Sequence, residues 1–160
     1  MIINGEIRGK NIVLRSVDEG DSEFIINLRN DDKLTQYIPK ITVTIEQQKG
    51  WVANQRTILG DYYFLILNRH LSPLGTIGLT GLKNNEIELG RFISRGNAVE
   101  NLESSLIVCD YVYNVLNVQE IRLEVVKENV NVLSLWRRLG AKDRGESTLG
   151  EFETFIMYLF

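Results

Sequence analysis

The chain has one cysteine and one histidine in 160 residues. No internal disulfide can form, and neither a Cys–His nucleophile pair nor a His/Cys metal cluster is in prospect. No metal is expected. Cys109 lies among Leu106, Ile107, Tyr113 and Leu116 on an apolar stripe, where a free thiol packs as a small hydrophobe. His70 falls in a turn between apolar runs and is expected to be solvated. Prolines number two, and no polar low-complexity tract suggests a disordered arm. No apolar run approaches the roughly 20 residues needed to cross a bilayer. Met1 to Glu6 also lacks the basic start and apolar stretch of a secretory signal. Together these point to a cytoplasmic protein without membrane contact. Basic charge is not in excess either: 18 Lys and Arg against 21 Asp and Glu give a formal net charge of -3. Direct nucleic-acid binding is therefore not expected, because phosphate backbones are met by basic surfaces.

What is present suffices for one α/β domain over residues 1–160. Hydrophobic residues make up 44% and charged residues 24%, the balance of a chain that buries its own core. Ile12-Val13-Leu14-Arg15 reads as a strand. Ser16 or Asp18 then opens a helix carrying Phe24, Ile25 and Leu28 at three- and four-residue spacing, stopped at Asn30-Asp31-Asp32. Thr44 precedes a second helix that contains Trp51 and Val52. Tyr62 to Leu67, Leu74 to Leu79 and Glu86 to Ile93 are three strands separated by short turns, which predicts an antiparallel meander. Gly75, Gly78 and Gly90 are positions for a bulge or a close backbone approach. Leu102, Leu106, Cys109, Tyr113 and Leu116 follow a helical stripe. Ile121 to Val126 alternates as a strand, Val130 to Leu139 is a helix ended by Gly140, and Phe152 to Met157 belongs to a final strand. The fold class is one mixed, twisted sheet flanked by helices.

Three places carry candidate chemistry. The turn Arg95-Gly96-Asn97-Ala98 opens a helix, so free N–H groups and a guanidinium can meet an anion there. Asn97 and Glu100 also have the spacing of a capping box, with Asn101 as a competing cap. The turn lacks the Gly-rich frame and the following Lys and Ser or Thr of a nucleotide triphosphatase loop. Glu86 and Glu88 share one face of their strand, and Glu88 is the candidate general base, although a solvated strand face explains both acids as well. Trp51 lines an entrance or packs, Trp136 packs on the late helix, and Arg91 meets a substrate phosphate or a surface carboxylate.

At these same positions the chain resembles the GCN5-related N-acetyltransferase (GNAT) superfamily, in particular its ribosomal-protein/small-amine and amino-sugar acetyltransferase branch. The similar pieces are Ile12 to Arg15 with Asp21, Leu74 to Leu79, Glu88 to Ile93, Asn129 to Leu135, and Leu139-Gly140-Ala141, in the family's order across nearly the whole chain. The resemblance implies a GNAT-like acyl-CoA N-acyltransferase fold that takes acetyl-CoA as cosubstrate between two parting parallel strands. By the same carry-over, Phe92, Ile93 and Ser94 contact the pantetheine arm and Arg95, Gly96, Asn97 and Ala98 face the pyrophosphate. The family's arginine, glycine and small residue are kept in that turn at altered spacing. Asn129 matches an asparagine that supports the cofactor. Trp136 stands where many relatives have the tyrosine that protonates the departing thiolate, a role indole does not fill. The implied activity is acetyl transfer to a primary amine: a protein N-terminus, a polyamine or an amino-sugar nucleotide. Backbone N–H groups near Phe92 to Ser94 would stabilise the developing negative charge. The alternative is a non-catalytic, acyl-CoA-responsive binding or assembly protein. The oligomeric state is left open, a homodimer included.

Overall fold

Tyr62 to Leu67 is buried along its whole length and forms the strand around which the rest is laid. The computed structural model describes residues 1–40 and 42–160. Along the chain come β1 (Glu6–Arg8), β2 (Ile12–Ser16), α1 (Ser22–Arg29), α2 (Ile45–Gln55), β3 (Tyr62–Asn68), β4 (Pro73–Lys83) and β5 (Glu86–Ser94). They are followed by α3 (Ala98–Asp110), β6 (Glu120–Val126), α4 (Val130–Arg138), β7 (Lys142–Leu149) and β8 (Phe152–Leu159). The strands make one mixed sheet in the order β1-β2-β3-β4-β5-β6-β8-β7. Strands β3 to β5 are the expected antiparallel meander, β2 adds to it antiparallel beside β3, and β5 and β6 are the parallel pair. No helix among the described residues is long and apolar enough to cross a membrane.

Side-chain alternation divides the core between the two faces of the sheet. Ile12, Leu14, Phe64, Ile66, Ile77, Leu79, Ile87 and Leu123 pack with Val108 of α3 and with Leu133 and Trp136 of α4. Val13, Tyr63, Leu65 and Leu67 face the other way, beneath Ile25 of α1 and Val52 of α2. Local chemistry sets the helix starts. The Thr44 side chain accepts from Gln47 N–H while the Gln47 side chain accepts from Thr44 N–H, and Asn97 and Glu100 make the same reciprocal pair at α3. Asp18 caps a single 3-10 turn at Glu19–Asp21 ahead of α1. Cys109 is buried on α3 and His70 is exposed in the turn after β3.

Two elements escape the hydrophobic pattern. Strand β7 is exposed at every position, so no apolar alternation marks it; it exists through its ladder to β8. The helical stripe toward Leu116 also does not continue as α-helix, since Tyr111–Val115 widens into a π turn after α3.

Candidate active site

Strands β5 and β6 are paired only at Glu86–Glu120, Ile87–Ile121 and Glu88–Arg122, after which they part. The other edge of β5 bends at the same level. Between the pairs Gly78–Gly90 and Thr76–Ile93, Ile77 of β4 faces both Arg91 and Phe92, which is a β-bulge. The positive φ of the bulge, +52°, falls on Arg91 rather than on Gly90. Gly78 makes room for this: a Cβ there would stand 3.0 Å from Cδ of Arg91 and 3.2 Å from the Tyr62 carbonyl oxygen. Gly75 lies closer still, where a Cβ would stand 2.1 Å from the Ile93 carbonyl oxygen.

Arg91 is held at both ends. Its guanidinium donates to Asp61 at 2.6 and 2.9 Å and lies 4.9 and 5.4 Å from the ring centroids of Trp51 and Tyr63. Its carbonyl accepts from the Thr76 hydroxyl at 3.0 Å. Asp61 is buried and accepts in addition from the Gln55 amide at 2.8 Å. Burial pushes the Tyr63 phenol above its ordinary pKa, against the opposing effects of Thr76, Arg29 and Arg91, so it stays protonated.

The parted strands open into a cavity of about 720 Å³. One wall is β5 from Glu88 to Ile93 and the other is β6 from Leu123 to Val126. Asn129, Val132 and Trp136 close the α4 end, while Arg29, Tyr37, Gln47, Gln48, Trp51 and Tyr63 line the side of α1 and α2. Glu88, Phe92, Ile93 and Asn129 thus share one space. Glu88 makes an ion pair with Arg122, which also reaches Glu124 at 3.5 Å; Thr154 donates to Glu124 at 2.8 Å. Asn129 occupies the N-cap position of α4 without a side-chain capping bond, so its amide is free for another partner. Trp136 is 2% exposed and belongs to the core as well as to the cavity wall. Trp51 packs edge-on against Tyr63 yet stays 42% exposed at the mouth.

The turn after β5 lies outside the cavity lining, and its polar groups are turned on one another. Gly96 N–H donates to the Ser94 hydroxyl at 2.9 Å and Asn97 N–H donates to Glu100 at 2.8 Å. Asn101 does not cap the helix; its amide donates to the Gly96 carbonyl at 3.0 Å, and its own oxygen is buried without a partner. Arg95 lies over Phe24, 5.9 Å from the ring centroid, with Asp31 at 3.8 Å. The N–H groups of Ala98 and Val99, in the first turn of α3, have no intrahelical acceptor. Gly96 is tightly enclosed, since a Cβ would come 2.9 Å from Asn101 Oδ1. A parted strand pair, open N–H groups at a helix start and a free asparagine amide fit a long acyl-CoA with its amide arm and pyrophosphate.

Of the two sequence readings of Arg91, substrate phosphate or surface carboxylate, the structure shows a carboxylate, but a buried one, Asp61. The polar Arg29-Asn30-Asp31-Asp32 end of α1, which the sequence offers as an acceptor entrance, brings Arg29 to the cavity lining. Asp61 and Tyr63 are parts of this arrangement that motif spacing does not single out; the sequence signal near them is the glycine pattern on β4, which marks a close approach without saying what approaches.

The model of the acetyltransferase (GNAT) domain family matches residues 11–142. Apo FdhC, described as a nucleotide-linked sugar GNAT, superposes with a TM-score of 0.85 at 30% identity, over 98% of this chain and 90% of its own. Spermidine N-acetyltransferase from Vibrio cholerae, in complex with CoA and spermine, superposes with a TM-score of 0.83 at 19% identity, over 92% and 94%. A GNAT-family acetyltransferase from Bacillus anthracis gives 0.80 at 14% identity, over 97% and 98%. The last two likenesses are of fold. None of the curated proteins matches the sequence. The chain belongs to the GNAT acetyltransferase family. It is an acetyl-CoA-dependent N-acetyltransferase.

Proposed function

We propose that the protein acetylates the primary amine of an amino-sugar nucleotide. The observation that carries this is the charge left open in the cavity. Glu88 and Glu124 are both engaged by Arg122, and Arg91 is engaged by Asp61. Arg29 lines the cavity and has no carboxylate partner among the described residues. A polyamine, with several cationic groups to place, would find only Glu88 and Glu124 there among the described residues, each already paired with Arg122, whereas a diphosphate would meet a guanidinium suited to bidentate pairing. Tyr37, Trp51 and Tyr63 add flat aromatic surface for a base or a sugar ring. The resemblance of 30% to a nucleotide-linked sugar GNAT supports the same acceptor.

When bound, acetyl-CoA supplies an activated acetyl thioester. Phe92, Ile93 and Ser94 present the β5 edge to its pantetheine arm, and backbone N–H groups of that stretch polarise the acetyl carbonyl. Arg95, Gly96, Asn97 and Ala98 face the pyrophosphate once the Glu100 carboxylate yields the Asn97 N–H. Asn129 donates its side-chain amide from the α4 end. Glu88 takes the proton of the acceptor ammonium, directly or through water. Trp136 contributes shape and water exclusion, because its indole N–H is not an acid near neutral pH.

Thiol release with matched amines tests the acceptor. An amino sugar on a nucleoside diphosphate should give a higher kcat/KM than the free amino sugar, spermidine or a peptide N-terminus. R29A should raise KM for the sugar nucleotide about ten-fold while leaving KM for acetyl-CoA unchanged. A higher kcat/KM for spermidine or the peptide would reject this acceptor.

A further inference from the structure

The bulge in β5 places an arginine in a backbone conformation that glycine adopts freely and other residues resist. Its restraints come from outside the strand: Thr76 bonds the Arg91 carbonyl, Trp51 and Tyr63 flank the guanidinium, and Asp61 pairs with it at both terminal nitrogens. We infer that Asp61 is a positioning residue for acetyl transfer, which through Arg91 fixes the bulge and hence the unpaired β5 edge. This inference rests on acetyl transfer as proposed above but not on the identity of the acceptor.

Three features converge. The pair is bidentate, which sets the direction of the Arg91 side chain as well as its distance from Asp61. Asp61 is itself fixed: the Gln55 amide bonds both its carboxylate and its carbonyl, at 2.8 and 3.0 Å. The turn ahead of it needs Gly60, whose φ is +75° and whose Cβ would stand 2.8 Å from that of Leu82. Finally, the bulge falls beyond the Glu88–Arg122 pair, where β5 has lost β6 as a neighbour and is held by β4 along one edge alone. Asp61 does not line the cavity, whereas Arg91, its ion-pair partner, does.

D61N keeps the shape of the side chain and removes its charge. It should lower kcat about ten-fold and raise KM for acetyl-CoA as well, since the same β5 edge receives the pantetheine arm. In an R91G background, where glycine takes the bulge unaided, adding D61N should change kcat by less than about two-fold. R91G should also turn over about ten-fold faster than R91A, since alanine resists the left-handed conformation. Equal rates for R91G and R91A would assign the role to the guanidinium itself, and an equal cost of D61N in both backgrounds would remove Arg91 from its action; either result overturns the inference. Amide shifts of Arg91 to Ser94 on adding acetyl-CoA read the same geometry without turnover. D61N should displace them in the wild-type background and leave them in place in R91G. If the wild type binds acetyl-CoA but acetylates no amine, acetyl transfer fails as the function, and shifts unmoved by D61N would still overturn the positioning role.

Discussion

Glu88 shows how a carboxylate's neighbours decide what it can do. Its sequence position puts it on the cavity wall, and the fold gives it Arg122 as an ion-pair partner. The pair orients the carboxylate toward the opening, since Arg122 is in turn held by Glu124. E88Q retains shape and hydrogen-bonding reach while removing the basic group. It should preserve folding and acetyl-CoA affinity and slow the chemical step, with a rate that rises less with pH than the wild type's. Pre-steady-state rates across pH on a verified acceptor decide this, because product release can mask chemistry; superimposable profiles would leave Glu88 a positioning role only. Cys109 is the opposite case. Burial pushes its thiol up to about 12, so it is not a nucleophile at neutral pH. A folded pKa above the ordinary 9.0 means that the thiol form is favoured by folding, so this contribution is complete below pH 9 and is lost as pH rises toward 12. C109A should keep kcat and lack that alkaline loss of stability, as followed by thermal melts; a large drop in kcat with normal folding would restore the thiol to the mechanism.

Two helix starts carry asparagines whose roles look interchangeable in sequence and differ in structure. Asn97 accepts from Glu100 N–H at 3.0 Å and completes a capping box, whereas Asn129 makes no capping bond at all. N97A should therefore cost about 1 kcal/mol of stability. N129A should leave the melting temperature nearly unchanged and weaken acetyl-CoA binding. The contradicting result is a destabilised N129A with normal affinity, which would make Asn129 a cap alone. Most elements could be read from the chain because their apolar spacing is set by burial against one neighbour. β3, with both faces covered, is an unbroken apolar run, and the parallel strand alternates from Glu120 to Val125 before ending on a second buried valine, Val126. β7 could not be read, because an edge strand held by backbone bonds leaves no apolar signature. The bulge was half legible. Glycines on β4 announced a close approach, but the left-handed residue is Arg91, stabilised by an aspartate 30 positions away. Long-range ion pairs of this kind have no local pattern. The anion-binding turn was legible in position but not in state, since the bonds from Gly96 to Ser94 and from Asn97 to Glu100 depend on side-chain rotamers.

Across the whole molecule, function follows from one interruption in an otherwise continuous sheet. The core packs both faces of β2 to β4, and β6 and β8 carry the sheet on, so the parallel pair can part beyond Glu88 without unfolding its surroundings. A helix start stands at one end of the opening and a free asparagine amide at the other. Such a gap suits an extended cosubstrate, with the acceptor entering from the side of α1 and α2 where Trp51 and Arg29 stand. The central claim is that this opening binds acetyl-CoA and delivers its acetyl group to an amine. Its most direct test is a titration with acetyl-CoA followed by thiol release in the presence of a sugar-nucleotide amine, spermidine and a peptide N-terminus in turn. The account predicts saturable binding and amine-dependent release of CoA with formation of the N-acetyl product, fastest for the sugar nucleotide. Saturable binding with no amine-dependent release for any acceptor would contradict it and leave an acyl-CoA-responsive binding protein.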